Sequence, residues 1–346
     1  MKALLLSRYK HLEIADLPEP APGPGEVLVR VAACGICGSD VHGYDGSSGR
    51  RIPPIVMGHE AAGRIAKLGA RVTEFAEGDR VTFDSTIYCG VCDPCRRGEM
   101  NLCDNRQVLG VSCPDYRRAG AFAEYVVVPS RVLYRLPDNL SFAEAAMLEA
   151  VAVAVHAVSL AEISPKSTAL VLGAGMIGLL VVQALRAAGC SRVFVADIDS
   201  SRLQLARGVG ATAVLSSGAG LAAEVLQLSG GDGADVAVEA VGRNETVAAA
   251  VESVRKGGTV VLVGNTSPEV ALPLQKVVTR QIRLQGSCAS AGEYPRAMEL
   301  LASGAIQVKP LITAVAPLGD GPRWFERLHA REPNLMKVVL TPGVFS

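Results

Sequence analysis

The sequence predicts an α/β protein in which a doubly wound parallel sheet is joined to a separate β-rich part. Three observations support this prediction. Short apolar segments separated by turn residues fill the chain up to about residue 137. From Thr168 onward, strand and helix patterns alternate, which is typical of a parallel sheet covered by helices on both faces. The 346 residues are enough for two domains, each with its own core.

The N-terminal part is predicted to be a barrel or sandwich of short strands. KALLLSR and GEVLVRVAACGICG have the apolar pattern of strands, and PEPAPGPGE between them is a turn region. GRIAKLGARVTEFAEGDRVTF adds two strands around the turn at Gly78 and Asp79, and AGAFAEYVVVP adds another. Strands this short with turns this frequent favour a closed or layered β-structure.

The pattern changes after Pro137. SFAEAAMLEAVAVAVHAVSLAEI predicts a long helix, and Ser141 and Glu144 at its start have the spacing of a capping box. The alternating region then runs through TALVLGAG, MIGLLVVQALRAAG, RVFVADID, RLQLARGVG, ADVAVEAVG, TVAAAVESVRKGG and TVVLVGN. From about Glu293 the chain is rich in helix, and MKVVLTP is expected to be a final strand.

Composition narrows the function classes. The 34 basic and 34 acidic residues cancel, so no charged surface favours nucleic acid. The apolar run at Ala3–Leu6 is too short for a signal peptide, and glycines interrupt the longest apolar stretch, 169–182. We therefore expect a cytoplasmic protein that binds neither nucleic acid nor membrane. Its nine cysteines are expected to be thiols or metal ligands rather than disulfides.

A dinucleotide-binding site is predicted in the alternating region. VLGAGMIGLL contains G-x-G-x-x-G at Gly173, Gly175 and Gly178, between a strand and a helix pattern. Such a loop lets a pyrophosphate approach the positive N-terminus of the helix. Asp197 ends the next strand, where a carboxylate binds the ribose hydroxyls and repels a 2′-phosphate, so NAD is favoured over NADP. Asp199 is the alternative ribose ligand, and a glycine turn that binds nothing is the alternative for the whole pattern.

Further residues near this loop and at later strand ends are candidates for cofactor contacts. They are Met176, Ile177, Arg202, Val241 and Val263.

A cysteine cluster lies in CGVCDPCRRGEMNLC, with the spacing C-x2-C-x2-C-x7-C. It comprises Cys89, Cys92, Cys95 and Cys103. A disulfide does not fit the expected compartment, and a redox C-x-x-C would open a helix of a thioredoxin-like unit, which the pattern lacks. Four thiolates instead predict a closed tetrahedral zinc site, which would stabilise the loop and take no part in catalysis.

A second group of candidate ligands lies upstream of the cysteine cluster. It comprises Cys34, Cys37, Ser39, Asp40 and His42 in CGICGSDVHG, and His59 and Glu60 in MGHEAAG. A catalytic zinc site uses about three protein ligands and leaves one position open. The residues alone leave another interpretation open, because the cysteines could be small buried hydrophobes and His59 a hydrogen-bonded core histidine.

Nearly the whole chain resembles the zinc-dependent medium-chain dehydrogenases. It looks most like their polyol branch, which includes sorbitol, galactitol-phosphate and threonine dehydrogenases. The motifs that carry the resemblance are CGICGSDVH, GHEAAGRIAKLG, CGVCDPCRRGEMNLC, GAFAEYVVVP, LEAVAVAVHA and VLGAGMIGLL.

The resemblance implies that Cys37, His59 and Glu149 bind a catalytic zinc ion. Glu60 is implied to bind the same ion directly or to exchange with its water. Glu149, in MLEAVAV, stands where the alcohol dehydrogenase branch has a cysteine, and an oxygen ligand makes the site harder and more tolerant of water. The expected metal content is therefore two zinc ions per chain, one catalytic and one structural.

Other residues of the same motifs match the family's proton relay and its supporting contacts. Ser39 and His42 occupy the relay positions, and Asp40 is expected to orient a zinc ligand. His156, in the apolar run VAVAVHAV, is expected to be a core histidine. Arg50 and Arg51 could bind a phosphorylated substrate, although a solvated loop is the simpler interpretation.

By resemblance, residues 1–150 and 289–346 form a GroES-like catalytic domain, and residues 151–288 form a Rossmann domain that binds NAD. The family also implies a homodimer or homotetramer, with the strand near TVVLVGN at the sheet edge pairing across a two-fold axis.

The predicted activity is hydride transfer between NAD and a secondary alcohol of a polyol, sugar alcohol or cyclitol, possibly phosphorylated. Sorbitol dehydrogenases usually carry an Arg-Tyr pair where this chain has Ala289 and Ser290. A different enzyme of the same chemistry, such as a threonine or simple alcohol dehydrogenase, is an alternative. A non-catalytic NAD-binding protein stabilised by zinc is a more remote one, since every candidate ligand of the catalytic metal is present.

Overall fold

The computed structural model of the protein describes residues 1–113 and 116–343. The chain divides into two compact units, which are described separately. The first comprises Met1–Glu149, Tyr294–Ala302 and Val308–Ser346, and the second comprises Ala150–Glu293 and Ser303–Gln307. The last three residues of the expected domain at 289–346 lie outside the described residues.

The first unit is built mainly from short antiparallel strands. They are β1 (Lys2–Arg8), β2 (His11–Asp16), β3 (Glu26–Gly35), β4 (Ile55–Val56), β5 (Glu60–Leu68), β6 (Arg80–Phe83), β7 (Thr86–Ile87), β8 (Gln107–Val108), β9 (Tyr125–Pro129), β10 (Leu133–Arg135), β17 (Ile312–Pro317) and β18 (Lys337–Thr341). The main sheet has the order β10-β6-β5-β3-β18-β17, and β9 also pairs with β3. A three-stranded sheet has the order β2-β1-β4, and β7 pairs with β8.

Strand β3 is the centre of the main sheet because it pairs with β5, β9 and β18. Its sequence EVLVRVAACG is buried at every position from Val27 to Gly35 except Arg30, so it packs on both faces. This explains why its apolar residues form a nearly continuous run rather than a strict alternation. Leu4, Phe83, Phe122 and Phe325 are fully buried members of the same core.

Short helices complete the first unit. They are α1 (Gly38–Tyr44), α2 (Asp93–Arg96), α3 (Phe142–Ala145), α10 (Tyr294–Ala302) and α11 (Gly321–His329), while α4 (Leu148–Ser159) spans the boundary with the second unit. The long helix expected after Pro137 is thus divided into α3 and α4. The predicted capping box is present at α3: Ser141 Oγ accepts the Glu144 N–H, and the Glu144 carboxylate accepts the Ser141 N–H.

The second unit contains the parallel sheet that the alternating pattern predicts. Its strands are β11 (Thr168–Leu172), β12 (Arg192–Asp197), β13 (Ala213–Ser216), β14 (Ala234–Glu239), β15 (Val254–Leu262) and β16 (Arg283–Gly286), in the order β13-β12-β11-β14-β15-β16. Its helices are α5 (Met176–Ala187), α6 (Ser200–Gly208), α7 (Leu221–Ser229), α8 (Asn244–Ser253) and α9 (Leu274–Thr279). β11 is entirely buried, as a central parallel strand should be.

One prediction about this sheet is wrong. The strand near TVVLVGN was expected at the sheet edge, but its first four residues, 259–262, belong to β15, which is hydrogen-bonded to β14 on one side and β16 on the other. The edge strand is β16, Arg283–Gly286, which is short and largely exposed. Its sequence RLQG lacks an apolar run such as the one that predicts a strand at β15.

No helix among the described residues is long and apolar enough to span a membrane.

Candidate functional site

Three of the predicted catalytic-zinc ligands meet in the first unit. Cys37 immediately precedes α1, His59 immediately precedes β5, and Glu60 is the first residue of β5. A ligand atom from each of the three lies within 4.8 Å of the other two. The histidine and the glutamate are buried, and the cysteine is half-buried. A thiolate, an imidazole and a carboxylate at this separation are a donor set that suits Zn²⁺.

Asp40 lies behind this group and contacts it from two directions. One carboxylate oxygen is 3.3 Å from His59 Nδ1, and the other accepts the Cys37 N–H at 3.2 Å. Burial alone would raise the pKa of Asp40, but the neighbouring His59 and Arg51 charges outweigh it and lower the pKa to about 2. The carboxylate faces Nδ1 as an ion-pair partner without the geometry of a hydrogen bond, and Nε2 is the ring nitrogen of His59 left for a metal.

A buried lysine at this site was missed in the sequence. Lys337 Nζ lies 2.5 Å from Glu60 Oε2, and the two side chains are only 3% and 1% exposed. Gly35 makes room for this pair, because a Cβ there would lie 2.4 Å from Glu60 Oε2. The available signal was a lysine beginning the apolar strand MKVVLTP, where a buried position demands an acidic partner.

Glu149, the remaining predicted ligand, is not among the residues whose ligand atoms lie within 4.8 Å of one another at this site. It is the second residue of α4, and its exposed fraction is intermediate. Burial raises its pKa, the charges of His59 and Lys337 lower it and that of Glu60 raises it, and the net result is a pKa of about 7. Its electrostatic surroundings are therefore those of the candidate metal site.

The predicted relay residues lie on α1. Ser39 is half-buried, and its Oγ accepts a hydrogen bond from Arg51 at 3.1 Å. His42 is exposed, and its Nδ1 lies 3.2 Å from Ser47 Oγ. In the described part of the chain, no hydrogen bond joins Ser39 to His42. Arg50 is exposed, whereas Arg51 is buried against α1 rather than part of a solvated loop.

The four cysteines of the second predicted metal site also converge. The Sγ atoms of four cysteines all lie within 4.8 Å of one another: Cys89, Cys92, Cys95 and Cys103. Backbone N–H groups of Val91 and Cys92 lower the pKa of Cys89 to about 6. Burial and the neighbouring sulfurs raise that of Cys95 to about 12. Four thiolates at this separation would repel one another, and a bound cation would compensate their charge, which is the chemistry of a closed zinc site.

The glycine loop of the second unit has the geometry of a phosphate cradle. Gly173 has φ +97°, and a Cβ there would lie 2.6 Å from Val241 Cγ2. A Cβ on Gly178 would lie 1.8 Å from the Gly173 carbonyl oxygen, so α5 packs directly on the loop. Gly175, at the N-cap of α5, has no atom within 4 Å of its Cβ position. The open space is therefore at the helix N-terminus, where an anion would approach.

Asp197 and Asp199 have different partners. Asp197 is 8% exposed; its Oδ2 accepts the Ala174 N–H at 2.6 Å, and its Oδ1 accepts the Asp199 N–H at 2.9 Å. Asp199 is the N-cap of α6, and its carboxylate also lies 3.6 Å from Arg202 Nε. Asp197 thus joins the glycine loop to the end of β12, whereas Asp199 is occupied with its own helix.

The other candidate cofactor residues lie at the start of α5 and just after two strands of the parallel sheet. Met176 and Ile177 open α5 and are half-buried. Val241 follows β14, and its N–H donates to the Glu239 carboxylate. Val263 follows β15, and its N–H donates to the Glu239 carbonyl oxygen. The sequence did not single out Glu239, a fully buried residue that also accepts the Gly242 N–H.

Two further expectations concern the second unit. His156 is buried, as predicted, and its Nδ1 lies 2.7 Å from Glu293 Oε1. Ala289, at the position where sorbitol dehydrogenases have arginine, has a left-handed backbone with φ +52°.

Known proteins with similar sequences define the family. A family model described as alcohol dehydrogenase GroES-like domain matches residues 23–138, and one described as zinc-binding dehydrogenase matches residues 177–303. Sorbitol dehydrogenase of Bacillus subtilis (strain 168) is 35% identical over 348 aligned residues, covering 99% of this chain and 98% of that protein.

Solved structures agree over the same length. An alcohol dehydrogenase of Escherichia coli CFT073 complexed with NADH has a TM-score of 0.91 and 30% identity, with 99% of each chain covered. A zinc-binding dehydrogenase of Sinorhizobium meliloti 1021 bound to NADP has a TM-score of 0.89 and 34% identity, also with 99% of each chain covered.

The fold and the donor set define a zinc-type alcohol dehydrogenase. The chain belongs to the zinc-dependent medium-chain dehydrogenases, in their polyol branch, and is an oxidoreductase. The predicted family and the predicted fold class, a Rossmann sheet with a β-rich GroES-like part, are confirmed.

Proposed function

We propose that this protein oxidises a secondary alcohol of a polyol, sugar alcohol or cyclitol, with NAD as the hydride acceptor. The observation that carries the proposal is the convergence of Cys37, His59 and Glu60, with Asp40 behind them. The relation to a sorbitol dehydrogenase over nearly the whole chain supports a polyol substrate.

Two zinc sites with different tasks form part of the proposal. Cys37, His59 and Glu60 would hold the catalytic ion, with Glu149 as the further ligand implied by the family. Bound there, Zn²⁺ would supply Lewis acidity that makes an alcohol more acidic, and NAD would supply the hydride acceptor. The four cysteines from Cys89 to Cys103 would hold a structural ion, since they provide no open position.

The chain's own residues would handle the proton. Ser39 Oγ accepts one hydrogen bond from Arg51, which leaves a second lone pair to take a proton from the substrate hydroxyl. The Ser39 O–H can then donate its own proton onward. His42 is exposed, which suits the last member of a relay that releases the proton to solvent.

The preference for NAD is assigned to Asp197. It ends β12 beside the glycine loop, while Asp199 is engaged as a helix cap. The carboxylate would accept hydrogen bonds from the ribose hydroxyls and repel a 2′-phosphate. Gly173, Gly175 and Gly178 would hold the pyrophosphate. Met176, Ile177, Arg202, Val241 and Val263 are the further proposed cofactor contacts.

In this proposal free sorbitol would not be bound through the Arg-Tyr pair usual in sorbitol dehydrogenases, because Ala289 and Ser290 stand at those positions. A cyclitol or aminocyclitol is therefore also open as the substrate.

We further propose that the first unit is the catalytic domain and the second the NAD-binding domain, and that the enzyme is a cytoplasmic homodimer or homotetramer. None of the nine cysteines forms a disulfide in the described part of the chain, which is compatible with a reducing compartment.

The proposal is tested by replacing the thiolate ligand. Metal analysis of the wild type should find about two zinc ions per chain, and Cys37→Ser should lose one of them. The variant should also lose turnover while keeping its fold. Cys113→Ser, a half-buried thiol outside both ligand sets, is the matched control. Full activity in Cys37→Ser would show that the catalytic site is assigned to the wrong residues.

A further inference from the structure

Arg51 is buried beside the candidate metal site although it is not one of its ligands. Its side chain is only 6% exposed, and it comes from a loop that is anchored at both flanks. Ser112 Oγ accepts the Ile52 N–H at 2.5 Å and donates to the Ile52 carbonyl at 2.8 Å. The Arg50 carbonyl accepts the N–H groups of Ser112 and Cys113. The loop therefore holds the arginine in one place.

The guanidinium joins two functional residues of α1. Its Nη2 donates to Ser39 Oγ at 3.1 Å and lies 3.4 Å from Asp40 Oδ1, the oxygen that also faces His59. Its Nε has no hydrogen-bond partner among the described residues. Burying an unpaired donor is unfavourable, so apolar packing does not explain why an arginine occupies this position.

The sequence of α1 leaves space for this side chain. Gly43 faces the arginine, and a Cβ on Gly43 would lie 2.7 Å from Arg51 Cγ and Cδ. A side chain there would have to displace the stem of the arginine. Gly43 and Arg51 therefore form one structural feature, and each provides an independent way to disturb it.

We propose, on the basis of the function proposed above, that Arg51 is a positioning residue for both halves of the catalytic site. By pairing with Asp40, it fixes the position of that carboxylate facing His59, which supports metal binding. By donating to Ser39, it occupies one lone pair of the hydroxyl. Ser39 is then left with one acceptor direction for the substrate proton and one O–H to donate onward.

This arrangement indicates that Arg51 does not bind the substrate. Its Nη2 is shared between Ser39 and Asp40, and the side chain is buried, so it is poorly placed to grip a phosphorylated substrate. The exposed Arg50 has neither contact. Arg50→Met is therefore the matched control: it removes the same charge from the adjacent position without touching α1.

The first readout is zinc retention. The wild type, Arg51→Met, Gly43→Ala and Arg50→Met are dialysed against increasing concentrations of a chelator, and zinc per chain is measured. Cys37→Ser gives the baseline for zinc held by the four cysteines. Arg51→Met should release the catalytic-site zinc about 10- to 100-fold more readily, as is usual when a residue that supports a metal ligand is removed. Gly43→Ala should shift in the same direction, and Arg50→Met should not shift.

The second readout is steady-state kinetics with zinc in excess. Arg51→Met should lower kcat by about 10- to 100-fold with little change in the KM for NAD, because the glycine loop is untouched. Arg51→Lys should recover zinc retention more than kcat, since an ammonium restores the charge beside Asp40 without the planar fork. Gly43→Ala changes no charge, so it keeps the proposal testable if Arg51→Met does not fold.

The outcomes separate this inference from the function on which it rests. If the wild type holds no zinc beyond the Cys37→Ser baseline, the proposed function fails. If the wild type holds that zinc, but Arg51→Met and Gly43→Ala retain it equally well and match the wild-type kcat, the inference alone is overturned. The inference is supported if both variants retain zinc less well and have a lower kcat, while Arg50→Met matches the wild type in both readouts.

Discussion

Replacing Lys337 with methionine removes one partner of the buried ion pair beside the candidate metal. The two charged atoms are 2.5 Å apart, and both side chains are almost completely buried, so solvent screens the pair little. Methionine keeps most of the apolar volume but leaves the Glu60 carboxylate without its cation. An uncompensated buried charge costs about 3–5 kcal/mol, and we expect this loss where no metal neutralises Glu60.

The expected loss depends on zinc because Glu60 is also a candidate ligand. With zinc at the site, the carboxylate keeps a cationic neighbour, so Lys337→Met should be less destabilising. In the Cys37→Ser background, which lacks that zinc, the full loss should appear. The zinc of the four cysteines is unaffected by either change.

The protein has one tryptophan, Trp324, and it lies in the same unit as Lys337 and Glu60. Urea unfolding followed by tryptophan fluorescence therefore reports on the unit that carries the ion pair. Lys2→Met is the matched control, since its 2.6 Å pair with Asp16 is exposed and screened by solvent, so its loss should change the stability little. A loss for Lys337→Met as small as that of the control, or one equal with and without Cys37, would refute the reasoning.

Two further predictions concern the structural metal and the cofactor. Cys103→Ser should lower stability and release one zinc, because the loop of the four cysteines depends on its metal; unchanged zinc content and unfolding would contradict that assignment. Asp197→Ser should weaken NAD binding and reduce the preference for NAD over NADP, measured as the ratio of kcat/KM for the two cofactors. The repulsion between the Asp197 carboxylate and a 2′-phosphate at ~4 Å is roughly 4 kcal/mol per charge pair before screening. Solvent reduces it to about 1–3 kcal/mol, which corresponds to about 10- to 100-fold discrimination. The substitution also removes the Asp197 hydrogen bond to the Ala174 N–H of the glycine loop. Equal use of NADP by the wild type would show that another residue reads the ribose.

Much of the fold followed from local patterns. The parallel sheet was predictable because each strand and helix has its own periodicity, and the capping box at Ser141 is a contact between near neighbours. The edge strand was not, since β16 is short and polar and owes its place to pairing with β15. Its position depends on tertiary contacts that leave little trace in RLQG.

The candidate site shows the same limit. The cysteine spacing and the glycine loop are compact motifs, so their residues could be named from the sequence. Lys337 meets Glu60 across 277 positions, and Arg51 meets Asp40 from a loop that Ser112 anchors. Such partners are found only when the fold brings distant segments together. A charged residue in an apolar strand was the one available signal for Lys337.

The central claim, that this chain is a zinc-dependent NAD oxidoreductase for a polyol-type secondary alcohol, is tested most directly by a substrate panel. NAD reduction is followed by nicotinamide absorbance with polyols, cyclitols, sugar-alcohol phosphates, threonine and simple alcohols, using the wild type and Cys37→Ser. The account predicts turnover of a polyol or cyclitol by the wild type and none by the variant. Preferential turnover of threonine or a simple alcohol, or no turnover of any alcohol by zinc-loaded wild type, would contradict it.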